Sequence, residues 1–131
     1  MALDDFENGI EIHNRQIQAA IAASGMYVNH ESGYSYTVGL NRVGAPEVFV
    51  CDQSRDSADE ILLTIYQAVV RGMLVLKPGV DVNSLITGPA FLEAVTPKVK
   101  RSIFYAARTY FGSWSFSALF LNTGWRDAYD G

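Results

Sequence analysis

Two β-rich runs joined by a turn, between Gly33 and Val50, constrain the fold of this chain more than any other segment. In the run from Tyr34 to Leu40, aromatic or branched residues alternate with small ones, as in a strand with two different faces. The run 47–51 is apolar on both faces, as expected of an inner strand. The segment between the runs is rich in turn-forming residues: Gly39, Asn41, Gly44 and Pro46. We therefore predict two neighbouring strands.

Apolar residues at helical spacing flank these strands on both sides. They predict an amphipathic N-terminal helix over residues 4–24, ending at Gly25, and a second helix over residues 58–71. Ser57 and Glu60 have the spacing of a capping box, so we expect them to begin the second helix.

A third helix is predicted from Pro97 to about Phe111. Thr96 is a good N-cap, Pro97 suits the first helical position, and Gly112 suits the end. Further strands are predicted at residues 26–29, 91–95 and 116–121, although 91–95 could instead form one helical turn. The pattern indicates an α+β fold, with a single mainly antiparallel sheet of four or five strands and three helices packed on it. At 131 residues, the chain is predicted to be one domain over residues 1–131.

The charge and hydropathy of the chain exclude several classes of partner. A net charge of −4 gives no general attraction to nucleic acid or to anionic membranes, so neither is expected. No apolar run approaches the ~20 residues of a membrane span, and the N-terminus lacks the pattern of a signal peptide. The single cysteine, Cys51, cannot form an internal disulfide, which favours a reducing compartment. We expect a cytoplasmic protein.

The motifs of nucleophilic, phosphate-binding, dinucleotide-binding and zinc-protease sites are missing from the sequence. His13 and His30 are predicted on different elements, and Cys51 has no cysteine partner, so neither a metal nor a cofactor is expected. No catalytic residue is predicted. The alternative left open is an enzyme with His30 or Glu47 as general base. His13 lies on an apolar helical stripe. The simpler interpretation of His13 is a half-buried histidine with one hydrogen-bond partner, or a residue at a dimer contact.

Three cations, Lys98, Lys100 and Arg101, crowd the beginning of the third predicted helix. The helix dipole is already positive at this end, so local stability does not explain them. Together with free backbone N–H groups they would form a site for phosphate or carboxylate. The alternative is that they are solvated and compensated by the acids of the chain.

The strand beginning at Tyr34 offers a second set of candidate ligand contacts. Tyr34, Tyr36 and Thr37 could line a groove, with Tyr36 and Thr37 contacting the body of a ligand. Aromatic rings on a sheet face also commonly belong to the core.

A family resemblance is carried by the motif G-Y-S-Y-T-V-G-L at residues 33–40, followed by P-E-V at 46–48. It resembles DUF4262, a bacterial and phage-type family of domains of unknown function whose members read F-A-Y-T-x-G-L, then H-P-E-L. The likeness covers about residues 25–126, preceded by the N-terminal helix, and Ala45 stands where the family has His. The resemblance implies a compact α+β domain and supplies no activity, cofactor or catalytic residue.

Three functions remain open from the sequence. The leading hypothesis is a non-enzymatic binding domain, expected to be a homo-oligomer, that holds a small anionic, nucleotide-like ligand. The second is a hydrolase or transferase on such a substrate. The third is a protein-interaction module, such as a phage-encoded inhibitor or an immunity protein, that docks through its acidic first helix.

Overall fold

The chain forms one sheet with helices on both of its faces. A computed structural model describes residues 2–86 and 89–123, with side chains from residue 9 onward. In chain order, the elements are α1 Ala2–Ser24, β1 Tyr27–Glu31, β2 Tyr34–Val38, a 3-10 helix Leu40–Val43, β3 Glu47–Cys51, α2 Arg55–Val70, β4 Phe91–Ala94, α3 Pro97–Ile103, α4 Tyr105–Phe111 and β5 Ala118–Asn122.

The five strands lie in the order β1-β2-β3-β5-β4. The β1–β2, β2–β3 and β4–β5 pairings are antiparallel, whereas β3 and β5 are parallel, with Phe49 opposite Phe120. The predicted α+β fold with a single sheet is confirmed, and the segment 91–95 is a strand rather than a helical turn. The sheet is mixed because β5 runs parallel to β3; between these two strands the chain passes through α2, β4, α3 and α4.

Strand alternation divides the core into two clusters. On one face, Val48 and Val50 of β3 pack with Leu62 and Ile65 of α2. On the other face, Phe49 packs in a cluster that includes residues of α1 and α4. The predicted alternation along β2 is confirmed, since Tyr34, Tyr36 and Val38 share the second face.

Two predicted helix features are wrong. The second helix begins at Arg55, and its N-cap is Ser54, whose hydroxyl accepts a hydrogen bond from the Ser57 N–H at 3.1 Å. The capping box predicted one turn later therefore does not form. The predicted third helix is two helices, α3 and α4, because Phe104 leaves the helical conformation at φ −96° and ψ 45°. The structure thus has four α-helices within its described residues.

The ends of this interrupted segment follow the prediction. The Thr96 hydroxyl accepts a hydrogen bond from the Val99 N–H at 3.2 Å and so caps α3. Gly112 ends α4 in the left-handed region, at φ 81°. Residues 124–131 lie outside the described part of the chain. None of the helices in the described part combines the length and hydropathy needed to cross a membrane.

Candidate functional site

A cleft of about 610 Å³ opens between α1, the β1–β2 hairpin and α4. Small-molecule sites commonly have this size, with mainly apolar walls and a few polar groups that fix the ligand's orientation. The walls here are mainly apolar as well. The described residues that line it are Gly9, Ile10, His13, Asn14, Ile17, Glu31, Tyr36, Tyr105, Ala106 and Thr109.

Helix α1 forms one wall because its cleft-facing positions recur every three or four residues. Ile17 anchors this wall, since it is fully buried in the aromatic cluster beneath the helix. The wall is open at Gly9, because a Cβ atom added there would meet no atom within 4 Å. Helix α1 thus contributes half of the described residues that line the cleft.

The break at Phe104 positions the opposite wall. Phe104 is fully buried, with its ring centroid 4.9 Å from that of Tyr36 and 5.7 Å from that of Phe49. After the break, the backbone N–H of Ala106 donates to the Tyr36 hydroxyl at 3.0 Å. Strand β2 therefore caps α4 through a side chain, and this bond brings the first turn of α4 to the floor of the cleft.

A chain of polar side chains runs from α1 to the end of β1. His13 Nε2 lies 3.0 Å from Asn29 Oδ1, and Asn29 Nδ2 donates to Glu31 Oε1 at 3.0 Å. Because the amide nitrogen of Asn29 faces Glu31, its oxygen faces His13 and needs a donor. His13 therefore carries a hydrogen on Nε2 and donates it to Asn29.

Two further polar groups of the cleft have hydrogen-bonding capacity that the described residues leave unused. The side-chain oxygen of Asn14 is buried without a hydrogen bond. The Tyr36 hydroxyl accepts from Ala106, but its own hydrogen has no acceptor. Burial raises the pKa of Tyr36 well above its ordinary value of 10.0, so the phenol is neutral and can donate. Unpartnered buried polar atoms are uncommon in folded proteins, and they mark places where a ligand or water completes the bonding.

The tyrosines of the sequence-predicted site lie on the cleft side of the sheet, but the threonine does not. Tyr34 and Tyr36 stack with ring centroids 6.2 Å apart, and Tyr36 lines the cleft. Thr37 points to the opposite face, where its hydroxyl donates to Glu47 at 2.7 Å and accepts from the Val48 N–H at 2.9 Å. It is fully buried.

The three predicted cations do not converge on the cleft. Lys98 and Arg101 are exposed on α3. Lys100 Nζ donates to the carbonyl oxygens of Trp114 and Phe116, at 2.7 and 2.9 Å, and lies 5.4 Å from the centre of the Phe116 ring. Its charge stabilises the connection between α4 and β5, which is a structural explanation for one of the three cations.

Glu47, the alternative general base, is completely buried. Its Oε1 accepts from the Thr37 hydroxyl and the Leu40 N–H, and its Oε2 accepts from the N–H groups of Gly39 and Asn41. Burial raises its pKa to about 7 and outweighs these four hydrogen bonds, each of which lowers the pKa. The carboxyl group holds the turn after β2 and faces no cleft.

His30, the other alternative base, lies on the α2 side of the sheet, away from the cleft. Its Nδ1 is 2.8 Å from the Ser35 hydroxyl, and its Nε2 is 2.8 Å from Asp59 Oδ1. The connectivity is that of a Ser-His-Asp triad, but a serine nucleophile must reach a substrate carbonyl. Ser35 is only 5% exposed, so this bridge links the β1–β2 hairpin to α2.

Sequence reasoning identified Tyr36 and noted His13, but it missed most of the cleft. Asn14 and Glu31 carried a usable signal, because each is a polar residue next to a singled-out histidine on a predicted element. Tyr105 and Thr109 were predicted within a continuous helix, and nothing local indicated that they would approach α1. Within the described residues, no three His, Cys, Asp or Glu side chains gather closely enough to hold a metal ion.

Neither a curated protein nor a solved structure matches this chain. One family does match, over residues 12–128, and it is described as "Domain of unknown function (DUF4262)". The match includes the β2–β3 motif, all five strands, and most of α1, so it extends beyond the 25–126 of the predicted resemblance. Because it spans most of the 131 residues, the chain belongs to the DUF4262 family.

Proposed function

We propose that this protein is a non-enzymatic binding domain and that its small-molecule ligand occupies the cleft between α1 and α4. The observation that carries the proposal is a mainly apolar cleft of about 610 Å³ lined by Asn14, whose buried side-chain oxygen has no partner, and by Tyr36, whose hydroxyl hydrogen has no acceptor among the described residues. Apolar walls supply affinity by burial, and a few fixed polar groups supply orientation.

The two candidate bases support a binding role over catalysis. A general base must reach the proton that it removes, directly or through one water. Glu47 is enclosed by its own hydrogen bonds, and His30 is bound between Ser35 and Asp59 on the other face of the sheet. Neither group reaches the cleft.

Filling the cleft tests the proposal. In Gly9→Trp, an indole ring is expected to occupy the part of the cleft that Gly9 lines together with Ile10 and His13. Ligand binding should then be abolished. Gly9→Ala is the matched control: its methyl group meets no atom within 4 Å, and alanine favours the helix by about 1 kcal/mol relative to glycine. Ligand-observed NMR with a library of small organic fragments measures binding to all three proteins.

The expected result is a set of fragments that bind the wild-type protein and Gly9→Ala but not Gly9→Trp. Circular dichroism should show the same fold and an unchanged or higher melting temperature for the alanine variant. The proposal is overturned if the wild-type protein binds no fragment, or if the tryptophan variant binds the same fragments with the same affinity.

A further inference from the structure

We propose that the cleft selects a small organic amine with an apolar, preferably aromatic, body. This inference rests on the proposed function and names the chemical class of its ligand. It differs from the anionic ligand that the sequence predicted, because the chemistry of the cleft depends on residues that tertiary contacts bring together.

The α1–β1 wall of the cleft carries hydrogen-bond acceptors. The Asn14 side-chain oxygen is buried and has no donor among the described residues. The His13 ring lines the same wall, with its Nε2 hydrogen directed at Asn29 Oδ1. Glu31 adds a carboxylate, one oxygen of which accepts from Asn29. The Asn14 amide oxygen and the Glu31 carboxylate therefore place acceptors on one wall, which match a ligand group that is rich in N–H donors.

The charge of the cleft also favours an amine. Among its described lining residues there is one carboxylate, Glu31, and neither lysine nor arginine. The nearest basic residue along α1, Arg15, is exposed and pairs with Glu11 at 2.6 Å. A ligand carboxylate or phosphate would therefore meet a like charge and no cation, whereas an ammonium group would meet an opposite charge.

The remaining walls fit the body of such a ligand. Ile10 and Ile17 present aliphatic surface from α1, and the rings of Tyr36 and Tyr105 line the cleft from β2 and α4. Aromatic faces attract a nearby ammonium group as well as stacking on an aromatic body. Because the Tyr36 hydroxyl donates and is fixed by Ala106, it can also bind a single acceptor atom of the ligand.

Three probes with the same body and different charge test this inference: 2-phenylethylamine, 2-phenylethanol and phenylacetate. NMR titration of the full chain gives the Kd of each. A charge-assisted hydrogen bond to a carboxylate predicts that the amine binds roughly tenfold more tightly than phenylacetate, with the alcohol in between. Because Glu31 is exposed to solvent, which screens its charge, Glu31→Gln should weaken the amine roughly fivefold and leave the alcohol unchanged.

Glu11→Gln is the matched control, because Glu11 is an exposed acid of α1 that does not line the cleft. It should leave the affinity of all three probes unchanged. Equal or tighter binding of phenylacetate, or an unchanged amine affinity in Glu31→Gln, overturns the amine inference and leaves the binding function standing. If none of the probes binds at millimolar concentration, the amine inference is overturned, and the fragment screen of the wild-type protein and the Gly9 variants decides separately whether the proposed function stands.

Discussion

At the scale of single residues, Glu47 shows how one buried carboxyl group organises a turn. Three consecutive backbone N–H groups, from Gly39 to Asn41, point at its two oxygens. The turn reaches this conformation because Gly39 has a φ of 125° and lies against the backbone of Gly25, where an added Cβ atom would be 2.8 Å from the carbonyl oxygen. Gly39, Leu40 and Glu47 of the family motif therefore belong to one hydrogen-bonded unit, and the role of this unit is structural.

This unit predicts a pH dependence of stability. The pKa of Glu47 is about 7 in the folded protein and 4.5 as an ordinary value, so between these pH values the folded state binds more protons than the unfolded state. The free energy of unfolding should therefore fall as the pH rises from 4.5 to 7, by up to about 3 kcal/mol from this group. Urea denaturation at several pH values measures it.

Glu47→Gln is the control for this titration. Glutamine does not titrate, so the difference in stability between wild-type protein and variant should change across the same pH interval. The variant should also be less stable at acid pH, because its NH₂ group would face backbone donors. A difference that stays constant from pH 4.5 to 7 would show that the pKa of Glu47 is not raised.

At the scale of elements, the junction between α3 and α4 decides where the second wall of the cleft lies. In a continuous helix the N–H of Ala106 would donate to the carbonyl four residues earlier, at Ser102. The break at Phe104 frees this N–H, and Tyr36 accepts it from the sheet. With the Phe104 side chain buried in the core, the helix loses one backbone hydrogen bond, and the Ala106 N–H instead bonds β2 to α4 through Tyr36.

Removing the hydroxyl group of Tyr36 tests this hydrogen bond between β2 and α4. Tyr36→Phe should lower the free energy of unfolding by about 1–2 kcal/mol, because it leaves the Ala106 N–H without a partner. Tyr34→Phe is the matched control, since the Tyr34 hydroxyl bonds to none of the described residues, and it should change stability by less than about 0.5 kcal/mol. Chemical denaturation compares them. Equal losses in both variants would contradict a capping role for Tyr36.

At the scale of the whole molecule, the two faces of the sheet carry different roles. The α2 face is a mainly aliphatic core, closed by the His30 bridge between the hairpin and α2. The α1–α4 face is aromatic and incompletely closed, and it contains the cleft.

Apolar side chains are also exposed beyond the end of α2, where Met73 and Val75 are each 70% exposed. Exposed apolar surface of this kind favours contact with another protein surface.

We expect this surface to support the homo-oligomer that the sequence predicted. Replacing both Met73 and Val75 by glutamate should shift the mass in solution from oligomer towards monomer, because charges would have to be buried at the contact. Sedimentation velocity over a range of concentrations measures the mass. Val43→Glu, at another exposed apolar position, should have no effect. A wild-type protein that is monomeric at every concentration would contradict the expectation.

The sequence by itself determined where most helices and strands lie and some of their ends, because alternation, helical spacing, Thr96 and Gly112 act within a few residues of the chain. It also carried the family motif. Only the tertiary structure decided the break at Phe104, the burial of Glu47 and the composition of the cleft. These depend on contacts such as that between Tyr36 and Ala106, which lie 70 positions apart. A local sequence pattern does not show which distant side chain will bond to a given backbone N–H group. The residues of the cleft could therefore be identified only from the packing of the helices on the sheet.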